Sequence, residues 1–337
     1  MKFDYIIGNP PYQEMTESDS SRLPPIYNNF MDSAYEIATV VELITPARFL
    51  FDAGYTPKDW NKKMLNDKHL KVIQYESDSK KIFPDNDIKG GVAITYRNSK
   101  KTLGPIVIFT KYPELNTIIH KINKTTPPSR FLSEVISSPL SFKLSNTFKE
   151  EHPELTDRLR SSAFASLSTI FFDKKPDDNN SYIAIVGLEK GKRTTKYIRK
   201  DYIEDTGATL NHYTLLMAKA IGSGVFGETL SKGQIAPPGT GYLQTFIGIG
   251  SYQTYEETEN TGKYIKTKFC RALLGVLKIT QDCPGPKWAF VPLQDFTDES
   301  DIDWSKSIPE IDQQLYRKYR LEDDEIEFIE SHVKEMN

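Results

Sequence analysis

Residues 3–12 read Phe-Asp-Tyr-Ile-Ile-Gly-Asn-Pro-Pro-Tyr. An apolar strand over 3–8 is halted by two prolines. Proline donates no N–H and fixes φ at about −65°, so no sheet ladder continues past Asn9. In an open α/β sheet, the carboxyl end of a strand faces the crevice where ligands bind. There Asn9 offers an amide oxygen and Pro10 a backbone carbonyl, Pro11 stiffens the loop, and Tyr12 supplies a flat ring. Together they suit a planar amino group. Two acceptors hold its two protons while the ring lies against the heterocycle that carries it. With both protons held, the nitrogen lone pair points out of the ring plane, towards an electrophile. Asn-Pro is also an ordinary turn initiator. The preceding strand, Gly8 and the aromatic in fourth place all agree with the more specific reading.

The rest of the first third alternates strand and helix. The segment 26–38 repeats apolar residues at Ile26, Phe30, Ala34 and Ile37, one face of a helix. Further strands are expected at 40–47, 70–77, 92–98 and 105–110, with short helices at 59–67 and 112–123. This order implies a largely parallel, doubly wound sheet over 1–125. After a linker at 124–130, residues 131–300 form a β-rich α+β domain punctuated by Gly/Pro clusters. The tail, 301–337, holds two helices, the first opened by Ser307 and Glu310 in a capping box with Pro309 in its first turn.

Composition excludes several classes. No stretch approaches the roughly 20 apolar residues of a membrane helix, and no signal segment leads the chain. The two cysteines (Cys270, Cys283) and five histidines are scattered, so no metal site and a cytoplasmic location are expected. Net charge is −3, but its distribution matters more. Residues 189–200 carry Lys190, Lys192, Arg193, Lys196, Arg199 and Lys200 against Glu189 alone, while the tail is acidic.

The opening segment resembles motif IV of the S-adenosylmethionine-dependent amino-methyltransferases, above all the DNA adenine-N6 enzymes of combined restriction–modification systems (γ-class, type IIG-like). The segments 43–50 and 82–97 are similar to their following blocks, and the C-terminal region to their target-recognition half. The resemblance implies a partial methyltransferase (Rossmann-like) sheet followed by a DNA-recognition domain. It implies catalysis by Asn9, Pro10, Pro11 and Tyr12. Tyr12 would stack on the target adenine, with Tyr96 as its opposite partner and Phe83 second. Phe49 and Pro11 would contact the S-adenosylmethionine. The adenine would be rotated out of the duplex, at a cost of a few kcal/mol, and stacking would return about 1–3 kcal/mol per ring.

The cofactor-binding elements that such enzymes place before this strand have no counterpart in the eight residues ahead of Asn9. The cluster Gly-Ser-Gly-Val-Phe-Gly at 222–227 does not replace them, and a plain loop is its simpler meaning. The chain is therefore expected to be a fragment, an interrupted product, or one part of a split enzyme whose second chain brings the cofactor half, and to be inactive alone. Pro84-Asp85 followed by Asp87-x-Lys89 is too tight for a metal nuclease. For double-stranded DNA, the basic run would supply phosphate contacts, and Gln244 and Gln253 could read base edges. Two rivals remain: a non-catalytic DNA-specificity subunit, and a protein-glutamine methyltransferase, whose substrate amide presents a similar planar amino group.

Overall fold

In the computed structural model, which describes residues 2–13, 24–53, 55–86, 88–155 and 158–336, the Asn9 corner ends an edge strand. Strand β1 (Phe3–Gly8) pairs in parallel with β2 (Ala38–Pro46) through the crossover helix α1 (Tyr27–Ile37). Helix α2 (Lys58–Leu65) leads to β3 (Leu70–Glu76), and β4 (Val92–Asn98) inserts antiparallel between β2 and β3. The order is β1-β2-β4-β3. The sheet is thus mixed: β1, β2 and β3 run one way and β4 opposes them.

Both helices lie on one face. Trp60 Nε1 and Lys63 Nζ of α2 donate to the Asp32 carboxylate of α1, at 3.1 and 2.8 Å. Beneath them, Tyr27, Met31, Ala34, Trp60 and Met64 pack on Val41, Leu43, Leu70 and Ala93. The helical stripe of α1 is Tyr27-Met31-Ala34, so the expected phase shifts: Phe30 and Ile37 turn out to solvent. Residues 105–110 form no strand. Gly104 (φ +88°) and Val107 (φ +61°) turn the chain, and Ile106 and Phe109 fill space against the core instead.

The chain divides into two units, 1–120 and 121–337, with α3 (Pro113–Thr125) running through the division. The second unit opens with β5 (Ile136–Ser137), β6 (Phe142–Leu144), α4 (Asn146–Glu151) and α5 (Ala163–Ser166). A hairpin follows, β7 (Tyr182–Glu189) and β8 (Lys192–Arg199), and then β9 (Ile203–Asp205). Strands β10 (Tyr213–Ala218), β11 (Gln234–Ala236), β12 (Thr240–Tyr242) and β13 (Phe246–Tyr252) complete three sheets: β11-β10-β13-β5, β12-β7-β8 and β6-β9. Helices α6 (Tyr255–Lys266), α7 (Lys268–Leu274), α8 (Ile308–Lys318) and α9 (Asp323–His332) finish the chain. The α8 capping box forms, with the Ser307 N–H and hydroxyl both donating to Glu310 at 3.0 and 2.6 Å.

Candidate active site

The corner sits where β1 runs out. Asn9 and Pro11 are exposed, Pro10 and Tyr12 half-buried. The Tyr12 carbonyl accepts the Ile26 N–H at 3.2 Å, and Gln13 bridges to Pro25, which ties the corner to the start of α1. The Tyr12 ring leans on the helix-covered core with its hydroxyl buried and unpartnered. Burial pushes that phenol up to about 12, so it stays protonated. Its contribution is a ring face and not a base.

Phe83 meets it. The two ring centroids are 6.5 Å apart with an interplanar angle of 76°. A planar base between parallel rings needs about 7 Å, twice an optimal carbon–carbon contact. The spacing is close to that; the tilt is not, so Phe83 must rotate flat to receive a base. Phe83 belongs to a loop between β3 and β4 that returns to the carboxyl end of β2, where the Ala47 N–H donates to the Gly91 carbonyl at 3.0 Å. Gly91 (φ +76°) is required there, since a Cβ would stand 2.2 Å from the Glu76 carbonyl oxygen.

Two expected site residues lie elsewhere. Tyr96 pairs with Glu42 and Lys71 on the sheet face opposite the α1 core, with Lys71 Nζ 5.4 Å from its ring centroid. Because strand side chains alternate, it does not face Tyr12. Phe49 is 0% exposed. It lies in a 3-10 turn after Pro46, wedged against Trp60 at 5.3 Å and Tyr27 at 6.3 Å. It is core, and offers no surface to a cofactor. Of the two expected cofactor contacts, Pro11 alone is at the surface.

Beside the corner, no strand pairs with the outer edge of β1 among the described residues. Tyr5 and Ile7, on the face away from α1, are 70% and 79% exposed, with Phe3 next in line. Proteins normally protect such edges with charges, prolines or bulges. This one carries apolar side chains on both faces, the pattern of an interior parallel strand.

In the second unit, the basic run is a two-residue hairpin. Glu189 pairs with Lys192 across Lys190 and Gly191, both with positive φ, the twist-matching turn such a connection needs. The pleat sends the charges to both faces, and several are already used. Lys196 pairs with Glu189 and Asp173 at 2.9 and 3.2 Å. Arg199 donates to Glu151 at 2.8 Å and also pairs with Asp201. Arg193 donates to the Gln234 side chain and the Lys232 carbonyl at 3.3 and 3.2 Å. Lys190, Lys192 and Lys200 are exposed, as is Lys232, whose backbone carbonyl accepts from Arg193 and which no pattern in the sequence marks. Gln244 precedes β13 and Gln253 follows it, so the seven-residue strand, roughly 20 Å of it, keeps them apart.

The 222–227 loop is a filled anion nest. Ser223 and Gly224 N–H donate to the Glu228 carboxylate at 2.8 and 2.9 Å, and buried Lys278 pairs with it. Burial opposes the charge, but Lys278 and the two amides outweigh it and hold Glu228 at about 2. Among the described residues, no cluster of three or more His, Cys, Asp or Glu could hold a metal, and no helix is long and apolar enough to cross a membrane. Both cysteines are buried and free. Asp87 of the tight Pro-Asp segment lies outside the described residues.

The corner therefore carries an exposed amide and two neighbouring aromatic rings at the end of a strand. Comparisons with known proteins bear on this part of the chain. Residues 1–83 match the family model of the Eco57I restriction-modification methylase. A 116-residue stretch, 33% of the chain, is 34% identical to an "uncharacterized adenine-specific methylase" of Mycoplasma pneumoniae (strain ATCC 29342 / M129), and spans 27% of that relative's length. The type IIG restriction endonuclease BpuSI aligns over 88% of this chain and 44% of its own, at 8% identity and a TM-score of 0.26, too low to define fold or function. The family match thus covers the N-terminal quarter of the chain, and the match to an adenine-specific methylase covers about a third of it.

Proposed function

We propose that the chain is the target-handling part of a DNA adenine-N6 methyltransferase, acting on an adenine rotated out of double-stranded DNA. The observation that carries this is the corner itself: exposed Asn9 and the Pro10 carbonyl at a strand's carboxyl end, with Tyr12 and Phe83 side by side. Asn9 Oδ1 and the Pro10 carbonyl accept the two N6 protons. Tyr12 and a flattened Phe83 enclose the base. The nitrogen lone pair is thereby aimed out of the ring plane without prior deprotonation. S-adenosylmethionine, where bound, would supply an electrophilic methyl group on that side of the ring. Residues 131–300 read the DNA, with Lys190, Lys192, Arg193 and Lys232 as the phosphate-contacting group, and 301–337 support that domain.

The free edge of β1 suits further strands that bring the cofactor half, from a preceding segment of the same protein or from a second polypeptide. The chain alone is accordingly expected to bind the cofactor poorly and turn over little. A non-catalytic specificity subunit is the second reading, favoured by the burial of Phe49, one of the two expected cofactor contacts. Transfer of labelled methyl to duplex DNA, with N6-methyladenine quantified after hydrolysis, tests the proposal. The chain is assayed alone and with the polypeptide encoded upstream. Product only in the mixture, abolished by Asn9→Ala, supports it; no product in either favours the subunit reading.

A further inference from the structure

Phe83 does not hold its own place. The loop that carries it is closed by one buried serine, Ser79, which is 2% exposed. The Ser79 hydroxyl donates to the Asn86 carbonyl at 2.9 Å and accepts the Ile88 N–H at 2.8 Å. Its carbonyl accepts the N–H of Ile82 at 3.1 Å and of Phe83 at 2.8 Å, and the Phe83 carbonyl accepts the Asn86 N–H at 3.0 Å. Phe83 is therefore tied to Ser79 on its amino side directly and on its carboxyl side through Asn86. The entry to the loop is set as well: Asp78 accepts the Lys80 N–H at 3.2 Å. Beyond Ile88, Arg48 Nε donates to the Lys89 carbonyl, and the Tyr75 hydroxyl donates to the Gly90 carbonyl at 3.3 Å.

We propose that Ser79 is a positioning residue for base capture: its hydroxyl clasp fixes the Phe83 backbone opposite Tyr12. This rests on the reading that Tyr12 and Phe83 enclose the target base. The rings already stand 6.5 Å apart, so with the backbone fixed only a side-chain rotation separates the resting pair from a slot. Without the hydroxyl, the Asn86 carbonyl and Ile88 N–H lose the partner they share at a partly buried position, and the loop loosens as water takes its place. Nothing in the clasp touches the base. Its loss should therefore weaken capture while leaving DNA affinity, which arises mainly from phosphate contacts, nearly unchanged.

The test uses the full chain, Ser79→Ala, Ser79→Thr and Phe83→Ala. An oligonucleotide with a single 2-aminopurine reports base capture by its emission at saturation, and fluorescence anisotropy reports affinity. Ring-to-ring proton proximity between Tyr12 and Phe83, and exchange of the Ile88 amide, report the clasp by NMR. Ser79→Ala should lose the ring-to-ring signal, exchange Ile88 at least about tenfold faster, and give the emission response of Phe83→Ala at an affinity within about twofold of wild type. Ser79→Thr, which keeps the hydroxyl, should restore both signals. A responsive wild type with an unaltered Ser79→Ala overturns the role of Ser79 alone. So does a Thr variant that keeps Ile88 protection yet responds like Phe83→Ala, which also decides the matter if the Ala variant does not fold. An unresponsive wild type with an intact ring-to-ring signal overturns the base-capture reading itself, and with it any role for Ser79 beyond the fold.

Discussion

The corner after β1 and the glycine-rich loop at 222–227 look alike as sequence. Both are short, irregular and built from residues chosen for backbone angle. In the fold they are opposites. The glycine loop turns its N–H groups inward onto Glu228, and Lys278 completes the charge balance from fifty residues away. The corner turns Asn9 outward, where no hydrogen bond reaches its amide among the described residues. One motif is satisfied from within, and the other leaves its amide exposed. A loop's function is decided by whether the fold supplies its partner.

The largest effects should come from disturbing what is satisfied. Glu228→Gln leaves Lys278 charged and buried without its partner, a loss of about 3–5 kcal/mol in unfolding free energy. Its pH signature is separate. The carboxyl sits at about 2 in the fold, below its ordinary value of 4.5, so its stabilisation is complete above about pH 4.5 and disappears as pH falls through about 2. Urea titrations should show the wild type losing stability across that window and the variant losing less. A variant as stable as wild type at pH 7 would mean the nest is not filled as described.

Phe49→Ala belongs with it. Removing a fully buried ring should cost about 3–5 kcal/mol. A residue lining an open cofactor surface would instead change ligand binding with little effect on the thermal midpoint. The two outcomes separate core from site.

Asn9→Ala works the other way round. The side chain is exposed, so thermal unfolding should hardly move. Methyl transfer in the assembled enzyme should fall about 10²–10³-fold, the scale of losing one preorganised polar group beside a reacting centre. A loss of stability in place of activity would put the corner in the same class as the glycine loop.

How much of this could be read from the chain follows the same division. The corner was legible because two prolines stop a strand wherever it lies, and the α8 cap because Ser307 and Glu310 are local to each other. Tyr96 and Phe83 were not separable by sequence. Which face a β4 residue takes depends on its register with Glu42, more than fifty positions earlier, and the loop that carries Phe83 back to Tyr12 leaves no local signal. The Thr-Pro break before Phe49 marks a change of direction but not whether the turn faces in or out. The apolar stripe of α1 was misphased because Ile26 falls outside the helix, and Tyr27, Met31 and Ala34 make the buried face. Ser79 carried no signal at all, since its partners are backbone groups.

The basic hairpin is the intermediate case, and it sharpens the comparison. Its sequence suggests one patch of six cations. The pleat and the acidic neighbours divide them. Lys196 and Arg199 are answered by Glu189, Asp173, Glu151 and Asp201, whereas Lys190, Lys192 and Lys200 remain exposed and Arg193 is oriented beside Lys232. Only the outward group can release counterions from DNA. Replacing Lys192 and Arg193 together by alanine should lower the slope of log affinity against log salt by about 2, near 0.9 for each phosphate left without its cation. The same treatment of Lys196 and Arg199 should leave that slope alone and show itself in stability, by roughly 0–1 kcal/mol for each partly exposed pair. If the second pair moved the slope as far as the first, internal ion pairing would not remove a cation from DNA binding, and the rule drawn from the two loops would fail for charges.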